Sequence, residues 1–440
     1  MSGAPGSPSP SSGLPALPPS DDLPDEAFRA VAPAYGSGSL ADLLPSVCAV
    51  LGVPGTADTL GLRARLDGVD RIGVLLVDGM GAYQLPLMKP LAPVLGDLTG
   101  GTLTAAFPST TPVSLVTVGT GAPPSAHGVL GFTVRRPDGR VLNHIAWSDD
   151  PDPRQWQPVP TVLETAAAAG VPVTVVSRGL YQGTGLSVAA HRGGRYQVAD
   201  DGPALAEAML TALRSTPGLV YGYHPDLDKA GHEDGVGAPS WAEAARGVDR
   251  ILDRLAHGLP PRSALLVIAD HGQFNVPASA RYDVTALGPA VIGVAGEPRA
   301  RYLWAADGAR DDLIATCRSV LGDDAWVLTR DEAIADGWYG PAVSPGPSAG
   351  PLPGPFFSPS AGPLRGPSAG PFSPGSPGSF GRPGAMSSAY ASRIGDVVII
   401  CRNRAIVTAS AWEPERAGQL VAYHGSVTAA EMTVPLLIVR

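Results

Sequence analysis

Ile72-Gly-Val-Leu-Leu-Val77 is an unbroken apolar run that stops abruptly at Asp78-Gly79-Met80. A second run, Leu265-Leu-Val-Ile-Ala269, stops the same way, at Asp270-His271-Gly272. Apolar runs this short, without polar alternation, predict strands buried on both faces, which is the pattern of a parallel sheet covered by helices. Val171–Val176, Gly218–Tyr223, Asp396–Cys401 and Pro435–Val439 read as further strands, and Thr161–Ala169 and Trp241–Leu255 as helices between them. The expected fold is therefore α/β, with a largely parallel central sheet flanked by helices. In such sheets ligands bind outside the carboxyl ends of the strands. Asp78 and the Asp270-His271 pair sit at two of those ends.

Three more stretches add to this pair of strand ends. Asp228-Lys-Ala-Gly-His232 spaces an acid and an imidazole by four residues, so one helical turn places both on one face. His224 and Asp226 lie close by, and Tyr423-His424-Gly425 supplies a third candidate histidine. Asp78, Asp228, Asp270, His232, His271 and His424 together offer enough oxygen and nitrogen ligands for two divalent cations. Phe107-Pro-Ser-Thr-Thr-Pro112 adds hydroxyls at the start of an expected helix, where Thr caps and Pro is favoured in the first turn. Free N–H groups and the helix dipole there favour an approaching anion, so Thr110 or Thr111 is well placed to attack a phosphate. An unassisted threonine alcohol is a poor nucleophile, and a bound metal ion supplies the missing acidity.

Composition narrows the function classes. The net charge is -9 and no cluster of Lys and Arg occurs, which argues against a nucleic-acid or membrane-surface partner. Lys89 and Lys229 are the only lysines, which reads as a genomic bias. Cys48, Cys317 and Cys401 are isolated, so neither a disulfide framework nor a thiolate zinc site is expected. The first residues lack a basic segment followed by an apolar one, and no apolar run reaches membrane-spanning length. A cytoplasmic location is the expectation.

Two segments of Pro, Gly and Ser punctuate the chain. Residues 1–28 are expected to form a disordered tail, with the catalytic domain spanning 33–440. Residues 341–388 form a low-complexity insertion in which Ser-Ala-Gly-Pro recurs at Ser348, Ser360 and Ser368. Because His424 lies beyond it, the insertion reads as an excursion from one domain, not as a linker between two.

The ordered set resembles the alkaline phosphatase superfamily, in its nucleotide pyrophosphatase/phosphodiesterase-like branch. The matching residues are Val77-Asp78-Gly79, Phe107-Pro-Ser-Thr-Thr111, Thr120-Gly-Ala-Pro-Pro-Ser-Ala-His127-Gly128, Asp228-x-x-Gly-His232, Asp270-His271-Gly272 and His424-Gly425. The resemblance implies a site for two divalent ions, most simply zinc. One ion would take Asp228, His232 and His424, and the other Asp78, Asp270, His271 and the nucleophile oxygen. A gap-free count along the motif places the nucleophile at Thr111, with Thr110 as the alternative, and leaves His127 a structural role. It also places Ser114 where the family often has an asparagine that holds a phosphoryl oxygen, so Ser114 is a candidate substrate contact.

The implied reaction is hydrolysis of a phosphodiester or pyrophosphate in a small phosphorylated substrate, with a nucleotide among the candidates, by in-line displacement through a phospho-threonine. A phosphomonoesterase is the first alternative; it should supply an extra cation for the more highly charged substrate, and none is assignable from the sequence. A sulfatase would need a Cys-x-Pro-x-Arg setting that the nucleophile segment lacks. A phosphosugar mutase would need a large folded second domain in place of the low-complexity insertion. A metal-binding protein of this fold without catalysis would be expected to have lost part of the ligand set, which is complete here.

Overall fold

The computed structural model describes residues 23–341 and 386–440. The strands that matter are, in chain order, Arg71–Val77 (β1), Gly100–Thr104 (β2), Val173–Ser177 (β3), Arg195–Val198 (β4), Gly218–His224 (β5) and Ser263–Ile268 (β6). They are followed by Val291–Glu297 (β7), Ala300–Ala305 (β8), Ala325–Thr329 (β9), Val397–Cys401 (β10) and Thr433–Val439 (β11). The central sheet runs β2-β11-β6-β1-β5-β3-β4. Within it β6, β1, β5, β3 and β4 are mutually parallel, as the apolar runs predict. Every residue of β6 is buried, and so is all of β1 after Arg71, because helices cover both faces.

Two of the expected strands join differently. β11 is antiparallel to both β6 and β2. β10 leaves the central sheet altogether and sits in a four-stranded antiparallel sheet ordered β7-β8-β10-β9, over a second apolar cluster that includes Leu303, Leu313, Ile399 and Val407. An apolar strand buried on both faces looks the same in sequence whichever sheet receives it. The pairing partner decides, and β7, β8 and β9 are not among the strands that the apolar runs predict.

The helices that carry the site are Thr111–Thr120 (α1) and Asp226–Asp234 (α2). α1 begins beside Thr110, which occupies the N-cap position in an extended conformation but makes no side-chain capping bond. It ends at Gly121, whose φ of 63° is the left-handed conformation that glycine adopts freely. α1 is buried along its whole length and packs against the helix Gly185–His191 so closely that a Cβ on Gly119 would lie 1.9 Å from the Ala190 carbonyl oxygen. α2 starts with Asp226 and Asp228 in its first turn, where the helix dipole favours negative charge.

Most of the expected tail, residues 1–22, lies outside the described residues, but the packed chain begins earlier than the 33 read from composition. Asp25–Phe28 is a short 3-10 turn with Ala27 buried, and the Phe28 ring meets Phe274 edge-on at 5.3 Å. Residues 342–385 of the expected insertion also lie outside the described residues. The chain on either side of them docks on one corner of the molecule. Ser125 donates to the Pro341 carbonyl at 2.8 Å, and Arg393 donates to the Gly128 carbonyl and stacks on Trp156 at 3.4 Å.

The fit of α1 is testable. Gly119→Ala should destabilise the protein by about 1–3 kcal/mol, the usual cost of forcing an extra carbon into a packed contact. A urea unfolding midpoint equal to that of the wild type would show that the helices can separate without strain.

Candidate active site

Three adjacent parallel strands deliver the site. β1 ends at Asp78, β6 is followed by Asp270 and His271, and β5 leads through Pro225 into α2 with Asp228 and His232. His424 arrives from the far end of the sequence, held there because Ala422–Tyr423 pairs antiparallel with Phe274–Asn275, just beyond Gly272. All six residues expected to bind metal therefore meet outside the carboxyl ends of the central strands.

The side chains form two groups whose ligand atoms all lie within 4.8 Å of one another. The first is Asp228, His232 and His424, as expected. The second joins Asp78 and His271 to Asp228, so Asp228 is common to both. Asp270 stands beside this second group. Its Oδ1 accepts from the Gly79 and His271 amides at 3.2 and 3.1 Å, and its Oδ2 lies 3.2 Å from His271 Nε2. The Thr111 hydroxyl is 3.2 Å from the same His271 nitrogen. Thr110 Oγ1 is buried, has no hydrogen-bond partner and faces the same cavity. Ser114 is also fully buried with an unpartnered hydroxyl, but it does not line the cavity.

Hydrogen bonds set the orientation of two imidazoles. His232 Nδ1 lies 2.8 Å from the Ala422 carbonyl, and His424 Nδ1 2.9 Å from the Ser109 carbonyl. A carbonyl oxygen only accepts, so each Nδ1 carries the proton and each Nε2 presents a lone pair. These two lone-pair nitrogens face each other at 3.1 Å, with an Asp228 oxygen 3.3 Å from one of them. Asp78 Oδ1, Asp228 Oδ1 and Asp270 Oδ2 are buried without a hydrogen-bond partner.

The electrostatics point the same way. Burial, reinforced by the charges of Asp270 and Asp228, pushes the Asp78 carboxyl well above the usual carboxylate range. Burial also raises Asp228 and Asp270. It lowers His271 and, with His271 and His232 adding to it, takes His424 well below the usual histidine value. Converging carboxylate oxygens and unprotonated nitrogens with no proton to share make a donor set that fits divalent cations.

The cavity in front of these groups has a volume of about 570 Å³. Its cations, Arg178, Lys229 and Arg416, are each paired with a carboxylate: Asp226 at 2.5 Å for Arg178, and Glu233 at 3.1 and 2.7 Å for the other two. His224 lies 3.8 Å from Asp226 and stays outside both metal-type groups. His127 is fully buried: it accepts from the Val129 amide and pairs with Thr117, and burial lowers it to about 3, which fits the structural role expected of it.

A family described as type I phosphodiesterase / nucleotide pyrophosphatase matches residues 73–427. The chain belongs to that family. Members of this phosphodiesterase family are metal-dependent hydrolases, and the chain has candidate ligand groups to match. Among solved structures, murine ectonucleotide pyrophosphatase / phosphodiesterase 5 covers 84% of this chain and 87% of its own, at 15% identity and a TM-score of 0.59. The same murine protein is known as an inactive variant in complex with AMP, at a TM-score of 0.58. Phosphonoacetate hydrolase from Sinorhizobium meliloti, solved with phosphonoacetate, covers 85% of this chain and 91% of its own, at 18% identity and a TM-score of 0.58. At these identities the likeness speaks for the fold. No curated protein sequence matches the chain. No helix among the described residues is long and apolar enough to cross a membrane.

Sequence reading passed over two residues of this site. Tyr223 donates its hydroxyl to Asp78 Oδ2, and Glu297, which closes β7, projects a buried carboxyl into the cavity wall. Tyr223 ends an apolar run and reads as core. A glutamate terminating the apolar run 291–296 was the available signal for the other.

Chelation of divalent ions should lower the melting temperature, and added zinc should restore it. A cation at a hundred times its dissociation constant contributes about 2.7 kcal/mol. An identical melting curve with and without chelator would mean that the crowded donors are stabilised by some other means.

Proposed function

We propose that this protein hydrolyses phosphodiester or pyrophosphate bonds in a small phosphorylated substrate, with Thr111 as nucleophile and two zinc ions bound by Asp78, Asp228, His232, Asp270, His271 and His424. The observation that carries this reading is the position of Thr111: its hydroxyl opens α1 and lies 3.2 Å from His271 Nε2, inside the crowded donor set. The first group would hold one ion through Asp228, His232 and His424; Asp78, His271 and the adjacent Asp270 would hold the other, with Asp228 near both. Bound divalent cations would supply Lewis acidity, lowering the pKa of the attacking hydroxyl and offsetting charge on the leaving oxygen.

The protein's own residues do the rest. The N-terminus of α1 directs free backbone N–H groups toward an incoming phosphate. Tyr223 holds Asp78 through its hydroxyl, and the Ala422 and Ser109 carbonyls keep His232 and His424 in the tautomer that leaves Nε2 unprotonated. Attack by Thr111 Oγ on phosphorus forms a phospho-threonine and expels the alcohol or phosphate leaving group. Water then cleaves the phospho-threonine by the reverse displacement.

A diester or pyrophosphate is the preferred reading because, among the described residues, each cation of the cavity wall is engaged, Arg178 by Asp226 and Lys229 and Arg416 by the Glu233 they share, so none is dedicated to the extra charge of a monoester. A cytoplasmic location is in keeping with three buried, unpaired cysteines.

Turnover of bis(4-nitrophenyl) phosphate against 4-nitrophenyl phosphate tests the reading, with zinc present. Thr111→Ala should lower diester kcat by about a thousandfold or more, on the order of 4 kcal/mol of transition-state stabilisation. Thr110→Ala should leave measurable turnover. The opposite ranking would move the nucleophile to Thr110, and a higher kcat/KM for the monoester would move the protein to the phosphatase class. Asp228→Ala, which touches both groups, should release bound zinc and abolish turnover. Undiminished activity in that variant would sink the two-metal reading.

A further inference from the structure

Glu297 has no role in the chemistry described so far, yet it is one of the more costly residues in the molecule. It closes β7, a strand of the smaller sheet, and points across to the site formed by the larger one. Its side chain is 4% exposed, and neither carboxyl oxygen makes a hydrogen bond of good geometry, the Thr110 hydroxyl and the Phe132 backbone being its polar neighbours. Arg301, whose charge favours the ionised form of Glu297, is itself engaged by both oxygens of Glu413. Thr110 faces the same cavity; its hydroxyl makes no hydrogen bond of good geometry but lies close enough to the Glu297 carboxyl to favour the ionised form, so the two polar groups are neighbours on one wall. The backbone makes room for this arrangement. At Gly425, whose φ is 127°, a Cβ would lie 2.7 Å from Glu297 Cγ, so the glycine after His424 is what lets the carboxyl reach the cavity wall.

Buried polar atoms without good partners are costly, which makes a cluster of them beside a reactive hydroxyl informative. The free first turn of α1 adds donors at the same place. Ser114, the candidate substrate contact at the position where the family often has an asparagine, does not line the cavity. We propose that the Glu297 carboxyl and the Thr110 hydroxyl form a hydrogen-bonding subsite for one non-bridging oxygen of the substrate phosphate, beside Thr111. This rests on the reading of Thr111 and its neighbours as a phosphoryl-transfer site.

Glu297 acts there as a neutral donor. An ionised carboxylate without a cation would repel the phosphate and would be costly to keep buried. Burial in fact pushes this carboxyl up to about 8, in keeping with a retained proton. The smaller sheet thus does more than brace the fold; it contributes one wall of the phosphate site.

The test compares Glu297→Gln, which keeps an N–H donor of similar shape, with Glu297→Met, which keeps the length and loses both polar atoms. Each zinc-loaded protein is titrated calorimetrically with inorganic phosphate and assayed for bis(4-nitrophenyl) phosphate hydrolysis, with melting curves to confirm folding. The glutamine variant should stay within about threefold of wild type in phosphate affinity and kcat/KM, while the methionine variant should lose about tenfold or more in both, as expected when a hydrogen bond to a charged group disappears. Thr110→Val should weaken phosphate binding in the same direction. Wild-type phosphate affinity in the methionine variant would overturn the proposal, and so would equal losses in glutamine and methionine. A wild type that binds phosphate but hydrolyses no diester would count against the proposed function alone, since the binding comparison still decides the subsite.

Discussion

Two buried carboxylates, the partly buried Asp228 and three imidazoles share a few ångströms at the carboxyl ends of β6, β1 and β5, and the rest of the structure is arranged around that crowding. Folding takes these acids out of water and brings like charges together, and both effects oppose ionisation. His271 and His424 do not relieve the charge by taking up protons, because burial lowers both and the neighbouring imidazoles add to the effect. A divalent cation inverts this balance, since it stabilises ionised carboxylate and neutral imidazole together. The site is therefore built at the expense of local stability, and a rigid scaffold is needed to hold it.

That scaffold is most visible around His424. Its ring stacks on His271 with centroids 3.6 Å apart, and it lies at the start of a loop whose other end is Glu431. The buried Glu431 carboxylate accepts from the Ser426 and Thr428 amides at 2.9 and 3.2 Å and pairs with both Nε and Nη2 of Arg299 at 2.5 and 2.9 Å. The Glu431 carbonyl also accepts from the Gly272 amide, directly after His271. Arg299 comes from the turn between β7 and β8, so the smaller sheet clamps the loop that the larger sheet needs. A buried pair of this kind adds little net stability, but removing one partner leaves an uncompensated charge and costs about 3–5 kcal/mol. Its main effect is to leave the loop few alternative conformations.

Local signals made part of this legible in the sequence. β1, β5 and β6 are short apolar runs ending in acid or histidine, and that combination gives both the parallel sheet and the side of it on which chemistry occurs. Spacing alone put Asp228 and His232 on one helical face. The antiparallel return of β11 and the transfer of β10 to a second sheet depend on pairing partners far away along the chain, and an apolar strand carries no mark of its partner. Tyr223 and Glu297 stayed hidden for a related reason: each closes an apolar run and looks like its polar edge until the fold shows what it faces. The sharing of Asp228 between two ligand groups is a matter of ångströms that no spacing rule encodes.

The distance along the chain between Asp78 and His424 also explains where the fold can tolerate a long low-complexity segment. The site closes only when the last strands return to the sheet, so any extra chain between β9 and β10 enlarges a loop that must be closed in any case. The entropy of closure rises only logarithmically with length, by about 0.6 kcal/mol for each doubling. The described residues on either side of that segment reach the same corner, Pro341 at Ser125 and Arg393 at Gly128. That corner lies just beyond the carboxyl end of α1, a full helix length away from Thr111. The described chain on both sides of that segment is thus anchored beyond the carboxyl end of α1, remote from Thr111, and the first turn of α1 is held by other contacts, such as that of Ser109 with the Ser426 carbonyl.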